Sequence, residues 1–152
     1  LLTVRTAGGE VMLRGAVNAA RAIASRPRVL GVTVLTSLDQ EEAAATGVCG
    51  AIPEVVARRA RLAVSAGAGG IVASAREVAR LRGQVPDGFL LVTPGIRMAD
   101  QEVGDQRRVA TPAGAVADGA DYLVVGRPIR DAAAPAAAAR TVVTQIRAGV
   151  PS

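Results

Sequence analysis

The sequence predicts an α/β fold built on a parallel sheet, and three observations carry that expectation. Strand-like and helix-like segments alternate along the whole chain. The strand-like segments are short runs of Val, Leu and Ile rather than polar–apolar alternations, as in strands covered on both faces. Half of the 152 residues are hydrophobic, yet there is one Tyr, one Phe and no Trp, so aliphatic side chains and Ala must fill the core. A chain of this length is expected to form one domain.

The elements follow in order. Leu1 to Thr6 reads as a strand, punctuated by Gly8-Gly9. Met12, Leu13, Ala16, Val17, Ala20, Ile23 and Ala24 form an apolar stripe at helical spacing, ended by Arg26-Pro27. Val29 to Leu35 is a second strand, and residues 38 to 46 a short helix. Pro53 opens another helix, with Val55, Val56, Ala60, Ala63 and Val64 on its apolar face. Gly67 to Gly70 turns into a third strand, Gly70 to Ala73, and Ser74-Ala75-Arg76-Glu77 fits a capping box that starts a helix. After the turn Pro86-Asp87-Gly88, Phe89 to Thr93 is a fourth strand, followed by a long polar loop over 94–110. Thr111-Pro112 reads as cap and first helical position, Tyr122 to Val125 as a fifth strand. An Ala-rich tail with Val142, Val143 and Ile146 closes the chain as a helix.

Five strand–helix units in series imply right-handed crossovers between parallel strands. An open doubly wound sheet and the last five units of a (β/α)₈ barrel both satisfy that series. The chain starts inside a strand, without Met or a signal-peptide pattern, which favours a barrel lacking its first units. A complete barrel takes about 250 residues and at least about 200. The expectation is therefore a single partial-barrel domain over 1–152.

Composition narrows the function classes. The net charge is +5, but the basic residues are spread over several segments and aromatic stacking platforms are nearly absent, which argues against a nucleic-acid partner. All 18 basic residues are Arg, so the Lys and His that commonly serve as general acids and bases are missing. Without His, neither a Ser-His-Asp nor a Cys-His arrangement can form, and no metal-ligand cluster is visible. The one cysteine, Cys49, excludes an intrachain disulfide, fits a reducing cytoplasm, and is expected to be an inert small hydrophobe. No stretch reaches the roughly 20 apolar residues of a membrane-spanning helix, so no membrane partner is expected.

In parallel α/β folds, chemistry gathers at the C-terminal ends of strands. The fourth strand delivers Thr93-Pro94-Gly95-Ile96-Arg97 and then Gly104-Asp105-Gln106-Arg107-Arg108; the fifth delivers Gly126-Arg127-Pro128. Glycine lets backbone N–H groups approach an anion, and the planar guanidinium fork matches phosphate oxygens. One such pair would more simply make a turn and an ion pair. Two at successive strand ends favour a phosphate dianion, at the position where barrels hold phosphate. The hydroxyls of Thr36-Ser37, after the second strand, either reach a ligand or cap the next helix, with Ser37 or Asp39 at the N-cap. Arg5 either reaches the pocket mouth or snorkels outward. Asp100, Glu102 and Asp105 are expected to be solvated or paired with Arg107 and Arg108.

Taken together, Val32-Thr33-Val34-Leu35-Thr36-Ser37, Gly70-Ile71-Val72-Ala73-Ser74, Leu91 to Arg97, Gly104 to Arg108 and Tyr122 to Ile129 resemble the bacterial orotidine 5′-monophosphate decarboxylases, in the right order and across essentially the whole chain. The resemblance implies strands four to eight of a (β/α)₈ TIM barrel. It implies a cytoplasmic homodimer with active sites near the interface. It also implies loss of carbon dioxide from orotidine 5′-phosphate to give UMP, the last step of pyrimidine nucleotide synthesis, with no metal or cofactor. Carried over by position, Arg97, Gln106 and Arg127 would hold the substrate phosphate with the backbone of Gly126, and Thr36 would contact the pyrimidine edge.

Two departures qualify the resemblance. The family's catalytic Asp-x-Lys-x-x-Asp motif belongs to an earlier strand, and this chain has no Lys, so no catalytic residue is assigned within it. Arg5 stands where the family usually carries His. The 152 residues alone are expected to hold substrate without decarboxylating it. The alternatives are a metal-dependent sugar-phosphate decarboxylase or synthase of the ribulose-phosphate-binding type, and a non-catalytic phosphate-binding half-barrel.

Overall fold

The structure, a computed structural model, describes residues 1–98 and 110–150. In chain order the elements are β1 (Leu2–Arg5), a 3-10 turn (Thr6–Gly8), α1 (Gly9–Ala22), β2 (Val29–Val32), α2 (Gln40–Ala45), α3 (Ile52–Ser65) and β3 (Gly70–Val72). Then come α4 (Ala75–Arg82), β4 (Leu90–Thr93), α5 (Pro112–Ala117), β5 (Tyr122–Leu123), α6 (Arg127–Arg130) and α7 (Pro135–Gly149). The strands pair in the order β1-β2-β3-β4-β5, all parallel.

That monotonic order separates the two architectures left open by the sequence. A doubly wound sheet reverses its strand order partway, which puts helices on both faces. Here every right-handed crossover moves one strand in the same direction, so the connections fall on one face, as in a barrel. Gly31 marks that face: a Cβ there would lie 3.1 Å from Cβ of Ala63 on α3 and 2.8 Å from Cγ2 of Thr6. In register with Gly31, Ile71 and Leu91 point the same way and are fully buried among the helices. The core beneath them is almost wholly Val, Leu, Ile and Ala, with Phe89 its one aromatic member.

The alternate residues Val32, Val72, Val92 and Tyr122 form a row on the opposite, inner face. Tyr122 is 51% exposed there. At the floor of this face a Cβ on Gly70 would meet the Leu90 carbonyl oxygen at 2.5 Å and Cδ2 of Leu30 at 2.8 Å. Glycine at 70 therefore lets two leucines close over the sheet.

Local signals place the helix starts. Asp39, not Ser37, caps α2: its Oδ1 accepts from the Glu42 N–H at 2.9 Å while Glu42 Oε2 accepts from the Asp39 N–H at 3.1 Å. Ser74 caps α4, its hydroxyl accepting from the Arg76 N–H at 3.3 Å rather than from the Glu77 N–H that the expected capping box uses. Thr111 caps α5 through the Gly114 N–H at 3.2 Å, with Pro112 in the first turn. The Pro86–Gly88 turn closes with the Phe89 N–H on the Pro86 carbonyl at 3.1 Å.

Several boundaries differ from expectation. Helix α1 stops at Ala22, and Ile23 is extended and half-exposed, because the chain turns through Arg26 at φ 39° before Pro27. β2 ends at Val32 rather than Leu35, and β5 has two residues rather than four. After β5 the backbone of Gly126 swings to φ −102° and ψ −96°, and the short helix α6, unforeseen in the sequence, starts with Pro128 in its first turn. Cys49 is exposed, its Sγ 3.8 Å from the Gly47 carbonyl oxygen, so it is not packed as a small hydrophobe. Most of the predicted polar loop, residues 99–109, lies outside the described residues.

At the opposite rim a clamp joins β4 to β5. The Arg82 guanidinium donates to the Gly119 carbonyl at 2.7 and 3.1 Å and to the Phe89 carbonyl at 3.2 Å, and pairs with Asp121 Oδ2 at 2.5 Å. The same carboxylate oxygen accepts the Leu91 N–H at 2.7 Å. This set of bonds fixes the N-terminal ends of the two strands whose C-terminal ends carry the site.

Candidate functional site

β4 and β5 pair through Val92–Tyr122 and Thr93–Leu123, and the Val124 N–H extends the ladder to the Thr93 carbonyl at 2.9 Å. Arg97 and Arg127 each lie four residues beyond the paired positions 93 and 123. The two arginines thus leave adjacent strands on the same rim. Arg97 is 9% exposed; its Nη1 donates to its neighbour Ile96's carbonyl at 3.1 Å, and its N–H donates to the Ala110 carbonyl at 3.0 Å. Ile96 and Ala110 form an isolated parallel bridge, so the segment after Arg97 returns to the point it left.

Gly126 precedes α6, and its carbonyl accepts from both the Ile129 and Arg130 N–H groups at 3.0 Å. A Cβ at 126 would meet nothing within 4 Å among the described residues. Arg127 follows in the first turn of α6, half-buried. Asp131 lies at the other end of α6; hydrogen bonds from Arg130 hold its carboxyl below the usual carboxylate range, and the Arg127 charge adds to that effect. The Arg130–Asp131 pair thereby neutralises one charge beside the site.

Gln106, the third predicted phosphate contact, lies outside the described residues, as do Asp100, Glu102, Asp105, Arg107 and Arg108. Thr36 is 7% exposed and follows β2, with β3 between it and β4. The structure therefore places Thr36 two strands from Arg97 and three from Arg127. At about 4.8 Å per strand, those separations are roughly 10 and 14 Å. At the end of β3, Ser74 is buried and holds the start of α4.

Arg5 ends β1 opposite Val32 and is exposed, lining a hollow of about 250 Å³ with Ala7, Thr33, Leu35 and Arg59. Arg59 donates to the Thr33 carbonyl at 2.6 Å, and burial together with the nearby Arg58 lowers its pKa. The sequence reading missed Arg59, which sits on a helix and carries no motif. It also missed the burial of Thr93: the side chain is fully buried, and its hydroxyl has no hydrogen-bond partner among the described residues. Among those residues, no group of three or more His, Cys, Asp or Glu could hold a metal ion. No described helix is long and apolar enough to cross a membrane.

A one-directional parallel sheet with its helices on one face, and glycine–arginine pairs at two adjacent strand ends, defines part of a (β/α)₈ barrel of the enzyme type. Residues 1–142 match the model of the orotidine 5′-phosphate decarboxylase / HUMPS family, and the chain belongs to that family. An orotidine 5′-phosphate decarboxylase of Anaeromyxobacter dehalogenans is 58% identical over 142 residues, covering 93% of this chain and 61% of the relative. The Coxiella burnetii enzyme of the same name is 44% identical over 149 residues, covering 97% and 63%. The crystal structure of orotidine 5′-phosphate decarboxylase from Lactobacillus acidophilus superimposes with a TM-score of 0.79 at 35% identity, over 95% of this chain and 62% of that one. The chain thus spans about three fifths of the length of these relatives.

Proposed function

We propose that this chain is the substrate-holding part of an orotidine 5′-phosphate decarboxylase, which releases carbon dioxide from orotidine 5′-phosphate and leaves UMP. One observation carries the reading: Arg97 and Arg127 leave neighbouring parallel strands on one rim, each after a glycine. Guanidinium forks from two directions, with exposed backbone at Gly126, suit a phosphate dianion. Gln106 adds a neutral donor in this reading. Thr36 lies farther along the same rim, about a mononucleotide's length away, and contacts the pyrimidine edge. The names of the relatives support the same substrate.

In the reaction the bond between the ring carbon and the carboxylate breaks, its electrons stay on the ring carbon, and a proton replaces the lost group. No Lys exists in this chain to supply that proton, so the proton donor and its carboxylate neighbours belong to residues beyond these 152. The division of labour is physically sensible. Binding energy from a remote phosphate holds the reacting ring in place and thereby lowers the barrier of the chemical step. The working protein is proposed to be a cytoplasmic homodimer that needs no metal or cofactor.

The test is steady-state conversion of orotidine 5′-phosphate by the protein at its full length. Arg127→Ala removes charge-assisted hydrogen bonds worth about 1.5–3 kcal/mol each, so kcat/KM should fall roughly 10- to 100-fold or more. Arg127→Lys should restore only part of the loss, because a point charge does not reproduce the fork. Unchanged kinetics in Arg127→Ala would remove the proposed grip. Failure of the intact protein to act on this substrate, with a magnesium-dependent reaction on a sugar phosphate instead, would favour the alternative barrel enzyme.

A further inference from the structure

On the helical side of the molecule, far along the sheet from β4 and β5, a hollow of about 590 Å³ lies between the start of α1 and the middle of α3. Arg58, Arg59 and Arg61 line it, with Thr6, Gly9 and Ser65. Arg58, Arg61 and Ser65 recur at helical spacing, so one face of α3 presents them together. Among the described residues, no carboxylate lines the hollow. The acids nearest in sequence are engaged elsewhere: Glu10 pairs with Arg14 along α1, and Glu54 pairs with Arg80 of α4 at 2.8 Å. Arg59 lines the hollow too, with one guanidinium nitrogen bonded to the Thr33 carbonyl at 2.6 Å. Helix α1 starts there too, with no side-chain cap on its first N–H groups.

We propose that this hollow is a second anion site, distinct from the strand-end grip, which binds a small molecule carrying a pyrophosphate or longer phosphate chain. Three arginines lining one hollow at the start of the 14-residue helix α1 form a concentration of positive charge that an anion of several charges would neutralise. The volume falls within the range of small-molecule sites, about 300–1,000 Å³. The lowered pKa of Arg59, caused by burial and by the Arg58 charge, agrees with like charges held together without a counter-charge. Such a site would let a phosphorylated metabolite act on the protein without competing for the strand-end grip.

The test is calorimetric titration of sodium pyrophosphate into the full-length protein carrying Arg127→Gln, which disables the strand-end grip. Saturable binding that weakens as ionic strength rises is expected, and adding Arg58→Gln and Arg61→Gln should weaken it at least tenfold. Separately, Arg58→Gln and Arg61→Gln in the otherwise unaltered protein should leave KM for the strand-end substrate unchanged, so this proposal and the functional reading fail independently. No saturable binding in Arg127→Gln protein overturns the site, as does equal affinity with and without Arg58 and Arg61. So does a change of association state in the Arg58→Gln/Arg61→Gln protein with binding intact, since it would make the arginines a contact between copies.

Discussion

Arg97 and Arg127 are less exposed than the arginines that form surface ion pairs. Arg14, Arg80 and Arg130 each pair with a carboxylate on an exposed surface, where such pairs contribute little. Arg97 is buried at the end of a strand with a backbone carbonyl as its neighbour. Asp131 tunes this region. Because its folded pKa is lowered, the stability that it contributes is present above the ordinary carboxylate range and is lost as pH falls through the lowered value. Near neutrality the carboxylate therefore stays charged and keeps Arg130 neutralised. Asp131→Asn should lower KM for a phosphate substrate at low ionic strength, and the gain should vanish in high salt. Thr93 is a second residue-scale case. Its hydroxyl is buried without a partner among the described residues, so Thr93→Val should leave the melting temperature unchanged or raised. A clear fall would show that the hydroxyl is bonded in solution.

Among the elements, what the sequence made legible was what is encoded locally. Pro53 and Thr111-Pro112 mark helix starts through their own backbone limits and hydroxyl, and Asp39 and Ser74 through side chains that reach only two or three residues. The arginine–glycine pairs after β4 and β5 could be read because strand ends carry their residues with them. What stayed hidden depends on distant partners. The early end of β5 and the turn into α6 follow from the backbone at Gly126, not from any break in the apolar run Leu123-Val124-Val125. Arg82 and Asp121 are 39 residues apart, and nothing local in either predicts their bond. That clamp has a measurable weight. Asp121→Ala would leave the Leu91 N–H without its acceptor and should destabilise the fold by about 1–3 kcal/mol in denaturant unfolding. An unchanged midpoint would show that the β4–β5 register needs no such support.

For the whole molecule, the contrast between the two sheet faces dominates. The helical face is closed by an aliphatic core, while Tyr122 and Val124 on the inner face are each about half exposed. β1 and β5 are the outer strands of the described sheet, and unpaired strand edges beside exposed apolar side chains favour association. The 152 residues expressed alone should therefore sediment as concentration-dependent oligomers. They should show no conversion of orotidine 5′-phosphate, since they lack the lysine of the family's catalytic motif. Turnover by this stretch alone would overturn the assignment of the chemistry to other residues.

The strand order has a consequence for how the chain is made. Among the described strands, each of β2 to β5 pairs with the one synthesised just before it. As the polypeptide leaves the ribosome, each of these units can dock on a sheet edge that already exists, so this stretch orders in small local steps. Of the described strands β5 is the last to emerge, so the proposed hold on phosphate stays incomplete until Arg127 has joined Arg97.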